Sequence, residues 1–289
     1  MRPDGPGSAR SVRMGHVNQF SEYLAIAERA VDLAVGIIED AGGTRRALEY
    51  KGDRDFASDL DLAVEDRLRE YLAEATPDIP LLGEERGLSG GGDSPYAWVL
   101  DPVDGTVNLV HGLPTFCVSL ALTREGDPVV GVVDSPPLGE RFSAATGLGA
   151  SLGGEAITCS ATDDLTEALV ALPDFALADR PPEINAERMR LIADLVPRVQ
   201  RLRLIGSAAL ELCWVAAGRF DANVQPQAKL WDVAAGVVIA REAGATVLDR
   251  HGAPFGPGSA SVVAATSVLA PLLCERLADV AGASCSEHG

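Results

Sequence analysis

A change of texture near residue 155 constrains the fold more than any other feature of the sequence. Beyond it, helical periodicity and short apolar runs alternate: helix over 183–195, strand over 201–205, helix over 207–217, strand over 221–225, helix over 231–243, strands over 245–248 and 261–265, and helix over 267–281. Strands that alternate with helices bury their apolar residues as a sheet with helices laid on its faces. Before residue 155 the pattern differs. Phe20, Leu24, Ala27, Val31, Ala34 and Ile38 recur at helical spacing and predict a long amphipathic helix ending at Gly42-Gly43. A loop or short hairpin over 51–61 leads into a second helix carrying Leu62, Leu68 and Leu72 and closed by Pro77. Strands follow over 79–85 and 96–100, then a strand pair over 116–123 and 127–136 joined by a Gly-containing turn, with "LSGGGDSP" (88–95) as a surface loop. The expected fold class is α/β, an α+β first half over 18–155 and an α/β second half over 156–289. Residues 1–17 read as a disordered tail in which Met14 offers a second start. No repeat of solenoid period is visible.

Composition removes several classes of function. With 47% hydrophobic and 23% charged residues the chain is an ordinary globular one. No apolar run approaches the ~20 residues that span a bilayer, and the first twenty residues lack the apolar core of a secretory signal. The five cysteines are scattered and form no C-x-x-C pair, which argues against a disulfide framework or a zinc site and for a reducing cytoplasm. A formal net charge of −18 repels nucleic acid and other polyanions. That excess has two readings: a solvated surface, or carboxylates gathered to hold hard cations.

The stretch "WVLDPVDGTVNLVHG" (98–112) favours the second. Asp101 ends an apolar strand and Asp104 follows across a Pro-containing turn, while Glu84 and Glu85 end the preceding strand. Side chains at strand ends are held rigidly yet open to a cleft. Carboxylates this close repel unless a cation or a proton lies between them, and an all-oxygen donor set selects hard ions, Mg²⁺ above all where phosphate is also bound. Gly105 lets backbone approach a ligand closely, consecutive N–H groups around Gly105 and Thr106 suit phosphate oxygens, and the Thr106 hydroxyl can orient a water. The competing reading is a plain Pro-Asp-Gly turn. A phosphatase that uses a D-x-D-G-T nucleophile spaces its acids by two, whereas the spacing here is three.

"GEE" upstream, "DPVDGTVN" in the middle and "LWDVAAG" (230–236) downstream together resemble, in order and spacing, the inositol monophosphatase family of Mg²⁺-dependent phosphatases over residues 20–281. The resemblance implies a layered αβαβα sandwich and two or three Mg²⁺ ions. It places Glu84, Asp101 and the Val103 carbonyl on the first ion, Asp101, Asp104 and Asp232 on the second, and a weaker third ion near Glu84. The catalytic set it implies is Glu84, Thr106 and Asp61, the last aligned through "DFASDLD", where Asp55 and Ser58 also match; Lys51 is off the family lysine's spacing by one. Asp104, Gly105, Thr106 and Asp232 would meet the phosphate. "RLRLIGSAALEL" (201–212) would bring Arg203, Gly206, Ser207 and Ala208 to the leaving-group pocket. Inositol-specific members carry Glu seven residues before the W-D aspartate, where this chain has Gln225, and Phe where it has Leu109. An amide donates as well as accepts, which shifts the expected substrate from inositol or histidinol phosphate toward a sugar or nucleoside monophosphate. Lys229 could meet an extra anionic group but reads as surface. Bisphosphate nucleotidase and fructose bisphosphatase activities would need more basic residues than the second half displays; a non-catalytic regulatory member would be expected to have lost a ligand, and no matched one is lost. Homodimerisation is implied by the family. Trp231, Cys117 and Cys213 read as core, His111 as structural, and Glu85 as surface or a residue behind the ligands.

Overall fold

The structure is a computed structural model that describes the backbone of residues 7–42, 54–176 and 181–282, and side chains over 19–42, 59–176 and 181–281. Lys51, Cys285 and residues 1–6 of the expected tail lie outside the described residues, and the side chains of Asp55 and Ser58 lie outside the described side chains.

Strand β3 (Tyr96–Asp104) shows how the first half is built. Its side chains alternate between two apolar layers: Trp98 and Leu100 join one cluster, Val99 the other. A strand buried on both faces needs cover on both. One face is covered by α1 (Gly7–Asp40) and α2 (Arg54–Ala75), whose Ala27, Val31, Ile38, Val64, Leu68 and Leu72 meet Trp98 and Leu100. The other is covered by α5 (Ala208–Ala216) and α6 (Leu230–Glu242), which also lie against the second sheet. Around β3 the first sheet runs β2-β1-β3-β4-β5-β6-β7-β8, with β1 (Leu81–Gly83), β2 (Gly87–Ser89), β4 (Cys117–Arg124), β5 (Asp127–Ser135), β6 (Glu140–Ala145), β7 (Gly149–Leu152) and β8 (Glu155–Ala156). Only β1 and β3 pair in parallel.

The second sheet runs β10-β9-β11-β13-β12, with β9 (Leu169–Ala171), β10 (Arg201–Arg203), β11 (Ala222–Gln225), β12 (Thr246–Leu248) and β13 (Val262–Ala265). Its outer face packs on α4 (Pro182–Leu195) and α7 (Leu269–Gly282) through Leu191, Leu195, Leu269, Leu273 and Leu277. The layers are therefore αβαβα. Helix α6 is the middle of the sandwich: every residue from Val233 to Ala240 is buried, as expected of a helix apolar all round. Small residues let it sit close. A Cβ on Gly131 of β5 would lie 2.6 Å from Ala235 O, and one on Gly236 would lie 2.6 Å from Leu212 Cβ.

Several expectations change in detail. The first helix starts at Gly7, so the part of the expected tail that is described is helical. Residues 54–61 belong to α2, not to a loop or hairpin. Its buried stripe is Leu60, Val64, Leu68 and Leu72, with Asp61 and Glu65 beside them, while Leu62 is only half-buried. The strand expected over 96–100 continues to Asp104 through an irregularity between Asp101 and Asp104, so the two acids are separated by a bulge in a strand rather than by a turn after one. Strands β2, β6, β7, β8 and β9 were not predicted.

Candidate active site

The irregular end of β3 feeds Gly105, held at φ +94, directly into the five-residue helix α3 (Thr106–Val110). A Cβ at Gly105 would lie 2.9 Å from Thr115 O, so both backbone angle and space require glycine. Asn108 then ties this corner to the second half: its Nδ2 donates to Thr115 O at 2.7 Å and to Ile205 O at 2.8 Å. Asp104 makes a second tie. Its Oδ2 accepts from Ser207 Oγ and from Ala209 N, each at 2.7 Å, at the start of α5. Ser207 also caps that helix, accepting from Leu210 N.

A cleft of about 410 Å³ opens where these ties meet, lined among others by Glu84, Asp101, Val103, Asp104, Thr106 and Asp232. Glu84 enters from the turn after β1. That turn is held from behind by Glu65, fully buried on α2, which accepts from Glu85 N at 2.9 Å and Arg86 N at 3.0 Å while Arg69 bonds it from the other side. The approach is close enough that a Cβ on Gly83 would lie 2.3 Å from Glu65 Oε1. Asp232 enters from the first turn of α6, where it accepts from Lys229 N at 3.2 Å; an acid there suits the helix dipole.

The electrostatics of this group are one-sided. Burial, and then the neighbouring Asp104, Glu84, Asp232 and Asp61, push the Asp101 carboxyl well above its ordinary range. Burial and then the acids Glu85, Glu84 and Glu65 raise Asp61 to about 8. Burial, with Asp232 and Glu85, raises Glu84 to about 7, against hydrogen bonds from Asp101 and the Trp231 indole. Burial raises Asp104 to about 7 in spite of its bonds to Ser207 and Ala209. Asp101 Oδ1 and Asp61 Oδ1 are buried without a hydrogen-bond partner. Among the described residues no three acidic, His or Cys side chains are drawn into a closed metal cage. Six carboxylates nonetheless line one cleft, and four of them, Glu84, Asp101, Asp104 and Asp232, offer oxygen donors with mutual repulsion and an orphaned oxygen on Asp101. That set fits a hard divalent cation.

Thr106, Gly105, Asp101, Val103, Asp104, Glu84 and Asp232 are thus brought together as the sequence predicts. Other expectations change role. Ser207 is 1% exposed and serves as a clamp on Asp104. Thr106 Oγ1 donates to Val103 O at 2.9 Å, so the expected Thr106–Asp61 pair is not closed by a direct bond. Arg203 is exposed, bonds Leu202 O and does not line the cleft. Arg188 on α4 lines it instead. Gly206, at φ +80, Ala208 and Gln225 line the cleft as expected. Trp231 packs at the edge of the core and reaches Glu84; Cys117 and Cys213 are buried, and His111, Lys229 and Glu85 are exposed. Sequence reasoning missed Glu65, Arg188 and Glu211. Glu65 left one signal: an acid four residues after Asp61 on an apolar helical stripe.

The profile of the inositol monophosphatase family matches residues 19–281. The chain belongs to the inositol monophosphatase family. It is 37% identical over 255 residues to an inositol-1-monophosphatase of Caulobacter vibrioides, spanning 86% of this chain and 98% of that protein. It is 38% identical over 281 residues to the inositol-1-monophosphatase SuhB of Mycobacterium tuberculosis, spanning 94% of each. Among solved structures, an inositol monophosphatase from Anabaena superposes with a TM-score of 0.79 at 31% identity, over 90% of this chain and 97% of that one. Mycobacterium tuberculosis SuhB superposes with a TM-score of 0.75 at 36% identity, over the same shares. This family member is a phosphoric monoester hydrolase, and its layered fold is that of the family's known structures. No described helix is long and apolar enough to cross a membrane.

Proposed function

We propose that the chain hydrolyses a small, hydroxyl-bearing phosphate monoester of the inositol, sugar or nucleoside monophosphate type with Mg²⁺ as cofactor. The observation that carries this reading is the convergence of Glu84, Asp101, Asp104 and Asp232 on one cleft, with the proton affinities of Glu84, Asp101 and Asp104 raised by burial and by neighbouring acids. Asp101 and Glu84 with the Val103 carbonyl would hold one ion, and Asp101, Asp104 and Asp232 the other. Bound there, Mg²⁺ supplies charge neutralisation for a phosphate dianion and acidifies a coordinated water.

The chain's own residues position the water and the phosphate. Thr106 donates its hydroxyl hydrogen bond to Val103 O, which leaves its oxygen lone pairs as acceptors for a water in the cleft. The unpartnered Asp61 Oδ1 is a second acceptor on the α2 side. The first N–H groups of α3, which have no acceptor within the helix, serve the phosphate oxygens, and Gly105 keeps the wall beneath them free of a side chain. The clamp of Ser207 and Ala209 on Asp104 fixes the second half of the chain against the first, so that groups on α5 and β11 face the alcohol while β3 faces the phosphate.

Phosphate release from a panel of inositol 1-phosphate, histidinol phosphate, sugar phosphates, nucleoside 5′-monophosphates and 3′,5′-bisphosphates, each run with Mg²⁺ and with EDTA, tests the reading. Release from a hydroxyl-bearing monoester that EDTA abolishes is the expected result. Equal release in EDTA would overturn the metal requirement, and preference for a bisphosphate would overturn the substrate class.

A further inference from the structure

At the alcohol end of the cleft lies a buried carboxylate that neither the metal-ligand set nor the water-orienting pair uses. Glu211, on α5, is 1% exposed and lines the cleft beside Gln225. Three N–H donors converge on it: Ile205 N reaches Oε1 at 3.0 Å, and Asn223 Nδ2 and Gln225 Nε2 reach Oε2 at 2.8 and 3.0 Å. Asn223 and Gln225 are two apart on β11, so the pleat puts both amides on one face, while Ala222 and Val224 point into the apolar layer on the other.

We propose that Glu211 is a positioning residue that locks the Gln225 amide, drawing its NH₂ away and presenting its carbonyl oxygen to the cleft as an acceptor for a hydroxyl of the substrate alcohol. Burial raises the Glu211 carboxyl to about 8, but Ile205 N already donates to Oε1 and Asn223 Nδ2 to Oε2, so both oxygens face donors as acceptors and the side of the amide that meets Glu211 is the nitrogen. Gln225 is 4% exposed, which leaves its Oε1 as the atom of that amide not taken by Glu211. The arrangement gives an acceptor without adding a charge. A carboxylate at position 225 would stand within about 3 Å of the Glu211 oxygen, in a cleft already lined by six carboxyl groups, and like charges at that distance repel strongly. The cleft therefore selects an uncharged alcohol that offers hydroxyl donors at this point, and the carboxyl group of the corner is held one layer back under three N–H groups. This specificity rests on the hydrolytic reading above; the orientation of the amide does not.

A double-mutant cycle tests it, with kcat/KM for inositol 1-phosphate divided by kcat/KM for 4-nitrophenyl phosphate, an ester without hydroxyls. Gln225→Ala should lower that ratio about tenfold, the worth of one hydrogen bond, acting mostly through KM for the polyol ester. Glu211→Met should lower it to a similar extent, and the double variant should be no worse than Gln225→Ala alone, because the second residue acts through the first. Additive losses, or equal losses on both esters for Glu211→Met, would overturn the proposal. The second readout is the side-chain amide resonance of Gln225 in ¹⁵N-labelled protein, identified by its loss in Gln225→Ala. Its protons should exchange slowly in the wild type and rapidly in Glu211→Met; unchanged protection overturns the positioning role. Should the wild type release phosphate from neither ester nor from any other monoester of the panel above, the hydrolytic reading fails, and the amide measurement alone supports or overturns the lock.

Discussion

Asp101 is 3% exposed, keeps one carboxylate oxygen unpartnered and faces Asp104, Glu84, Asp232 and Asp61. No fold gains from burying an acid among acids. The arrangement makes sense when a cation replaces the proton the site otherwise retains. Neutralising the residue should then separate stability from activity. Asp101→Asn is expected to raise the melting temperature of the metal-free protein, by the equivalent of about 1–2 kcal/mol, and to cut phosphate release at least about a hundredfold; calorimetric melting in EDTA and a steady-state assay check the two halves. The acids at this scale were legible because three short motifs carry them on strand ends and at a helix start. Ser207, Glu65 and Glu211 were not legible in those roles. Their partners are distant in the chain (Ser207 with Asp104, Glu65 with the backbone of Glu85 and Arg86), and nothing local in the sequence records such a pairing.

Elements carry the site by how closely they approach one another. Two glycines separate the effects. At Gly83 a Cβ would collide with the Glu65 carboxylate that holds the Glu84 turn, whereas at Gly131 it would collide with the backbone of α6 away from the acids. Both alanine variants should lose about 1–3 kcal/mol by overpacking, measured as a shift in urea midpoint. Only Gly83→Ala should also raise the Mg²⁺ concentration needed for half-maximal activity; an equal effect from Gly131→Ala would break the link between that turn and the metal. The elements of the second half were legible because each is either an amphipathic helix of ordinary length or an apolar run between turn residues, and α4 to α7 fall within a few residues of their predicted bounds. Strands β6 to β8 escaped because they are two to six residues long and rich in Ala, Ser and Gly, whose β preference is weak, and β9 because it is only three residues long. The start of α2 was misread as a loop because Asp and Ser around Asp59 and Asp61 look like turn chemistry, although Asp61 faces inward.

At the scale of the molecule the site is a seam. Asn108 and Asp104 on the first half bond Ile205, Ser207 and Ala209 on the second, so the energy of the carboxylate cluster is a property of the whole fold. Asp61 is raised to about 8, and Glu84 and Asp104 to about 7, from ordinary values of 3.8, 4.5 and 3.8. For acids raised in the folded state, the folded protein binds more protons than the unfolded one above the unfolded pKa. Their contribution is therefore intact at low pH and is lost as pH rises from about 4 through 8. Metal-free protein should melt progressively lower across that interval, and saturating Mg²⁺ should recover the loss most at the alkaline end; a melting temperature that climbs with pH in EDTA would contradict the assignment.

Calorimetric titration of Mg²⁺ at pH 7, repeated in two buffers of different ionisation enthalpy, addresses the cluster directly. The account predicts saturable binding accompanied by net proton release, abolished in Asp101→Asn and sharply weakened in Asp232→Asn. Absence of saturable binding, or binding that both variants leave unchanged, would contradict it.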